Sequence, residues 1–520
     1  MEPKTIVAIE IASSKIKGGV CSVDPSGKIN VLAVEKIAAT NNVRHGRVQN
    51  VSEVSANINE IIRKLENNPA LAGRKIEAVV LPLGGRSMCG IPASASLHFP
   101  TDYEIVADTV SRLKQEAIKD FVAPKKIEAI VPRVFYVNNS EVPNPVGNYG
   151  QLFRGEFILI ASSDENHRNL DRIKIENVSP RNISYLLRPI AVASLVLTDT
   201  ERQLGCVLVD FGAETTTVSI YKGGALSFLA TLPLGSRLIT RDLMAGLNLT
   251  EERAEEFKTS LGNAVPEQSR TTAENNAQEI NKYVQARAGE IAANIVNQIV
   301  LSGYKNADLP RGIILVGGGA ELKNFDQVLA AQSKLNVRKG SIPPVIDFRS
   351  NLDRAAENID IVALLSEAAS DPKIHECLSE PVRDPEPEVH SAATAATAAA
   401  AEIAAEKTAH AWHSGSTHTR RRHVPGDDDD DLLEDDPDVI VQPGAPYIAD
   451  EDEEKDTPRK NKSGIDVFAE DEEEYTPEPE PEPGSVREKL NKISRGIARF
   501  FGMPNEPEDG NYRPTDVDDD

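Results

Sequence analysis

Two stretches 200 residues apart each bring an apolar run to a carboxylate and then turn on small residues. The first reads Glu10, Ile11, Ala12, Ser13, Ser14, Lys15; the second reads Asp210, Phe211, Gly212, Ala213, Glu214, Thr215, Thr216, Thr217. A tight turn of small and hydroxylated residues lets backbone N–H groups converge on phosphate oxygens. A carboxylate at the strand end, Asp210 in particular, has the chemistry to hold Mg²⁺ through water or to position an attacking water. A third element, Gly317, Gly318 and Gly319, follows an apolar run and opens a helix, where bare backbone permits close approach to a base or ribose. Each piece alone is ordinary turn chemistry.

A different chemistry stands near the far end. Residues 485–503 read SVREKLNKISRGIARFFGM. Val486, Leu490, Ile493, Ile497, Phe500 and Phe501 recur at helical spacing, while Lys489, Lys492, Arg495 and Arg499 take the remainder with Arg487. Ser485 and Glu488 form a capping box, and Gly502 followed by Pro504 is a stop. A capped, basic, amphipathic helix with no core of its own suits the surface of an anionic bilayer. A helix that docks in a partner's groove, or back on its own domain, is the competing reading.

The elements that must position the turns follow from periodicity. Strands are expected at 4–12, 18–23, 29–37 and 76–84, with a helix at 51–66. Residues 85–165 change pattern and read as a small α+β insert. A helix beginning near Asn166 and another at 190–199 lead to a second strand–turn–strand unit at 205–231. Polar helices fill 235–303, and a strand at 312–318 is followed by a helix. Two such openings imply a duplicated α/β unit rather than one continuous doubly wound sheet. The expected organisation is therefore a first lobe in two parts (1–84 and 166–203), the insert (85–165), a second lobe (204–382), an acidic linker (383–484), the amphipathic helix (485–503) and an acidic tail (504–520).

The formal charge of −24 is unevenly spread. Residues 1–382 hold 44 acids and 42 bases, whereas 383–520 hold 37 and 15. The first part has the composition of a globule. The second, with its Asp run and PEPEPEP spacer, buries too little apolar surface to offset chain entropy. No basic face compensates for phosphate repulsion, which argues against nucleic acid as a partner. The four cysteines lack metal-ligand spacing and are expected to be small buried hydrophobes in a reducing cytoplasm. The opening residues carry acids within their apolar run and do not read as a signal peptide, and no run reaches membrane-spanning length.

Turns at 10 and 210 with a glycine triplet at 317 resemble the phosphate-1, phosphate-2 and adenosine motifs of the actin, Hsp70 and sugar-kinase superfamily. Arg287 and Glu290, one helical turn apart, resemble the superfamily's helix along the adenosine, and an intrahelical ion pair explains them equally well. Within the superfamily the text FPTDYEIVADTVSRLKQEA, the run FYVNNSEVPNPVGNYG, residues 189–194 and the loop from Pro233 through Gly235 to Leu243 are similar to the FtsA family of cell-division proteins. That resemblance implies a two-lobed actin-like fold, ATP and Mg²⁺ in the cleft, self-association into protofilaments, and anchoring of the ring protein FtsZ to the inner membrane face by the terminal helix. Other division proteins are possible later partners. Four departures count against rapid hydrolysis: Glu10 stands where the family's first turn starts with Asp, Ala12 where it carries glycine, Glu214 where the second turn carries glycine and Thr217 where it carries Asp. A carboxylate beside phosphates repels them unless it is turned aside or bound to Mg²⁺. The rival readings are a pilus-assembly adaptor of the PilM type, an active phosphotransferase or chaperone of the superfamily, and a scaffold that binds no nucleotide.

Overall fold

The computed structural model describes residues 4–39, 41–119, 121, 125–266, 275–349, 352 and 356–380. The linker, the helix at 485–503 and the acidic tail lie outside the described residues.

The first lobe opens with three antiparallel strands, β1 (Lys4–Ile11), β2 (Lys15–Val23) and β3 (Ile29–Ala38). Almost every residue of β1 and β2 is buried, because the helix at 51–66 covers one face, where Gly18 meets Ile61, and the helix at 359–370 covers the other, where Gly19 meets Ile361. A two-residue-per-strand hairpin follows, β4 (Val43–Arg44) and β5 (Arg47–Val48). Helix α1 (Val51–Glu66) is started by Asn50, whose side chain accepts from the Glu53 N–H at 3.1 Å. Its Val54, Ile58, Ile61, Ile62 and Leu65 share one buried face, and each such burial contributes about 1.5–3 kcal/mol. Strand β6 (Val79–Leu83) returns parallel to β1.

The insert consists of β7 (Cys89–Glu104), α2 (Ala107–Ile118), β8 (Lys126–Val137), β9 (Ser140–Val142) and β10 (Tyr149–Ser162). Leu113, Phe153 and Phe157 centre its small core. Helix α3 (Asp164–Asp171), β11 (Ile183–Leu187), α4 (Arg188–Val196) and α5 (Asp199–Leu204) complete the passage to the second lobe. The helix expected at 190–199 is α4, which ends at Val196; α5 is a further helix that was not expected. Leu197 leaves the helical region with ψ 133°, and Thr198 begins α5 through a capping box with Glu201.

The second lobe repeats the first. Strands β12 (Cys206–Phe211), β13 (Thr216–Lys222) and β14 (Ala225–Leu232) form an antiparallel meander. Helices α6 (Arg237–Leu247), α7 (Glu251–Leu261) and α8 (Asn275–Leu301) follow, and β15 (Ile313–Val316) returns parallel to β12. Helix α9 (Phe325–Ser333), β16 (Val337–Lys339), β17 (Asp347–Phe348) and α10 (Ile359–Ser370) end the described body. Helix α10 is apolar on most sides because it packs inside the first lobe, against α4 and β1.

The first sheet runs β11-β6-β1-β2-β3-β17 and the second β16-β15-β12-β13-β14-β7-β10-β8-β9. The insert therefore does not form a sheet of its own. It joins the second lobe's sheet at its edge, through the pairing of Ala230 with Cys89. An antiparallel strand placed there satisfies backbone groups that β14 would otherwise leave open. Cys21, Cys206 and Cys377 are buried and Cys89 is half-buried, all as free thiols.

Candidate functional site

The two carboxylate turns meet in the middle of the molecule, and charges that the chain itself supplies surround them. On the first turn the Ala12 N–H donates to the Lys15 carbonyl at 3.1 Å, closing the loop between β1 and β2. The antiparallel register sets Glu10 opposite Lys17. Their side chains pair at 3.0 Å with both ends buried. Burial pushes the Glu10 carboxyl up to about 7, against the pull of Lys17. Lys17 also donates to the Glu357 carbonyl. Lys15 does not reach into the cleft: it pairs with Glu357 at 2.9 Å, which also holds Lys36 at 2.8 Å. Those lysines hold the Glu357 carboxyl down at about 2. The backbone carbonyl of Ser14, an exposed residue, accepts the Ala39 N–H.

On the second turn the Gly212 N–H donates to the Thr215 carbonyl at 2.9 Å. The segment after β14 lies directly on this turn. Ser236 N–H donates to the Gly212 carbonyl at 3.0 Å, and Arg237 N–H to the Ala213 carbonyl at 2.8 Å. Gly235 is required there, since a Cβ would stand 2.3 Å from the Ala213 carbonyl oxygen and 2.5 Å from the Glu214 nitrogen. Thr216 Oγ1 donates to the Leu234 carbonyl at 2.7 Å, which fixes the loop from the other side.

The pairing of β15 with β12 places Val316 beside Asp210 and so brings the glycine triplet onto the same turn. Gly317 has φ +92°, and a Cβ on it would meet the Phe211 carbonyl at 2.4 Å and Asp210 Oδ1 at 2.7 Å. A Cβ on Gly319 would strike the Phe211 ring, while Gly318 faces open space. Glu10, the Ala12–Lys15 turn, the Asp210–Thr216 turn, Gly235 and the triplet thus form one cleft region.

Sequence reasoning missed the residues that neutralise this region. Arg188, first in α4, pairs with Asp210 and lies 3.7 Å from Asp360. Burial raises the Asp210 carboxyl, against the pull of Arg188. Asp210 Oδ1 and Asp360 Oδ1 are buried without a hydrogen-bond partner. Asp210 was the expected Mg²⁺ ligand; the cation beside it is the Arg188 guanidinium. Among the described residues no group of three His, Cys, Asp or Glu has the arrangement of a metal centre. Glu214, expected to repel phosphate, is neutralised by the chain's own donors: Oε1 accepts from Arg237 at 3.0 Å and Arg241 at 3.4 Å, and Oε2 accepts the His45 N–H at 2.7 Å. Burial alone would raise its carboxyl, but the His45 N–H and Arg237 outweigh burial and hold it below the ordinary range.

Nor does the sequence reveal Lys258, which is buried and bonds Thr240 Oγ1 at 3.0 Å, Glu255 at 2.7 Å and the Ser236 carbonyl at 3.4 Å, bracing the segment behind Gly235. Arg287 donates to both Asp242 oxygens, at 2.6 and 2.9 Å, and pairs with Glu290. It ties α8 to α6, so the intrahelical pair is part of a larger interhelical one. The one signal that could have flagged the cleft charges is a charged residue inside a strand buried on both faces, which describes Glu10 and Lys17.

Asp210 Oδ1 is a buried oxygen without a hydrogen-bond partner and Gly318 faces open space, whereas Gly235 and Gly317 lie against the second turn's own backbone and Ser13 Oγ accepts the Gly46 N–H. Glu214 and Arg188, charged side chains of the chain itself, are held at the second turn by opposite charges.

Comparison with known proteins agrees with the fold and narrows the kinship. The family model described as cell division protein FtsA matches residues 207–401. The FtsA of Porphyromonas gingivalis is 28% identical over 380 residues, covering 69% of this chain and 77% of that protein. The FtsA of Bacillus subtilis is 24% identical over 355 residues, covering 64% and 78%. Among solved structures, the PilM–PilN type IV pilus biogenesis complex superposes with a TM-score of 0.50 at 15% identity, covering 71% of this chain and 99% of that one. The actin-like ADP-bound MreB5 of Spiroplasma citri gives a TM-score of 0.39 at 11% identity, covering 69% and 94%.

Proposed function

A member of the FtsA family of cell-division proteins, this chain is, we propose, an actin-like scaffold that self-associates at the inner membrane face and gathers the FtsZ ring there. The observation that carries this reading is the alignment with FtsA proteins over most of the chain, 69% of it in one of them. The amphipathic stretch 485–503 supplies the attachment to lipid, and among the described residues no helix is long and apolar enough to cross a membrane. One such helix binds only marginally, so attachment depends on many copies held together. Self-association of the body provides them.

ATP with Mg²⁺ belongs to this reading as a switch of assembly rather than a fuel. The unpartnered Oδ1 of Asp210 and the open side of Gly318 support a place for it, and hydrolysis is at most slow because Glu214 stands where the family's second turn carries glycine. The PilM likeness, at 15% identity, speaks for a shared fold and leaves the partner to the sequence kinship.

Deleting residues 485–503 tests the attachment. The shortened chain is expected to keep its melting transition and to stay in the supernatant when anionic vesicles are pelleted. Vesicle binding that survives the deletion would remove the helix from the account.

A further inference from the structure

Protein fills the gap between the two turns. The tip of the β4–β5 hairpin, His45 (φ 50°) and Gly46 (φ 69°), reaches in from the first lobe. Gly46 N–H donates to Ser13 Oγ on the first turn at 2.9 Å. His45 N–H donates to the Glu214 carboxylate on the second turn at 2.7 Å, and His45 Nδ1 lies 3.1 Å from the Glu214 backbone carbonyl. Arg237 and Arg241 hold the other carboxylate oxygen, with Arg44 at 3.9 Å. The Glu214 side chain is only 2% exposed.

An amide N–H and several guanidinium groups around one buried anion are what proteins offer a phosphoryl group. Here the anion is a side chain of the turn itself. The cation side follows the same logic, for Arg188 lies between Asp210 and Asp360.

We propose that Glu214 is an internal anion occupying the phosphate position of the cleft, so that a nucleotide binds only in competition with it. This deepens the nucleotide part of the reading above and rests on it. The carboxylate links the second lobe's turn to the first lobe's hairpin, so the lobes are latched without ligand. An incoming phosphate must displace a charge that is already compensated, which lowers its affinity. Removing the carboxylate leaves Arg44, Arg241 and Arg237, the last still 3.5 Å from Glu251, to meet an added anion.

The test uses the full chain and its Glu214→Ala variant, titrated with a fluorescent ATP analogue in Mg²⁺ and, separately, with inorganic triphosphate. Glu214→Ala is expected to bind both at least about tenfold more tightly than the wild type, a change of ~1.4 kcal/mol. Equal binding by the two proteins overturns the internal anion and leaves the nucleotide reading standing. Absence of binding in both overturns the two together. A second measurement does not depend on the variant: amide exchange of ligand-free wild type should show His45 and Gly46 protected. Exchange of the His45 amide at the rate of an open loop overturns the latch.

Discussion

At Glu214 one carboxylate faces an amide and two arginines at hydrogen-bond distance, and the consequence is a stability that depends on pH. Its carboxyl lies below its ordinary value of 4.5 in the folded chain. A depressed carboxyl stabilises the fold above that value, and the contribution is lost as pH falls below it. Glu214→Gln is therefore expected to unfold earlier than the wild type at pH 7, by about 1–3 kcal/mol. The gap between the two should close as pH is lowered through 4.5 toward 3, followed by urea unfolding at each pH. A gap that widens on acidification would mean that the arginines do not hold the carboxylate. Glu357 has the same sign: with its carboxyl at about 2, the tie from Lys15 and Lys36 to the segment before α10 should hold above pH 4.5 and fade as pH falls toward 2. Half-exposed pairs of this kind contribute little, so Glu357→Gln should lower the melting temperature at pH 7 only slightly. None of these partners is legible in sequence. Glu214 can be read as a misfit in a glycine turn, but His45 and Arg237 lie 169 and 23 residues from it. Arg188 sits in a run that reads only as the start of a helix.

The elements were more legible than the contacts. Strand, acidic end, small turn and strand recur at 10 and 210 because a buried hairpin must alternate apolar β structure with residues that tolerate a tight turn. The glycine triplet was visible for the same reason. Two things were not visible. The end of α4 at Val196 and the separate start of α5 turn on Leu197 and Thr198, where a capping box with Glu201 begins a new helix. The union of the insert with the second lobe's sheet rests on one non-local pairing, Ala230 with Cys89. At this scale the cleft's glycines are the sharpest test. Gly317→Ala forces a side chain into a backbone with φ +92° against the Phe211 carbonyl. It should cost about 1–3 kcal/mol from the backbone alone. Gly318→Ala, which meets open space, should cost less than Gly317→Ala in the same denaturant series. Equal costs would contradict the close packing of the triplet on β12.

For the whole molecule the question is how a near-neutral body, a long acidic linker and a basic helix act together. Binding carried by cations and multivalency should weaken as salt is raised, because the screening length shrinks from about 10 Å at 0.1 M to about 3 Å at 1 M. The central claim is that the actin-like body and the helix act together to bring FtsZ to lipid. The most direct measurement is co-pelleting of purified FtsZ with anionic vesicles, in the presence of the full-length chain or of a chain ending at residue 484. FtsZ is expected to pellet with the full-length chain and to stay in solution with the shortened one. FtsZ left in solution while the full-length chain pellets would contradict it.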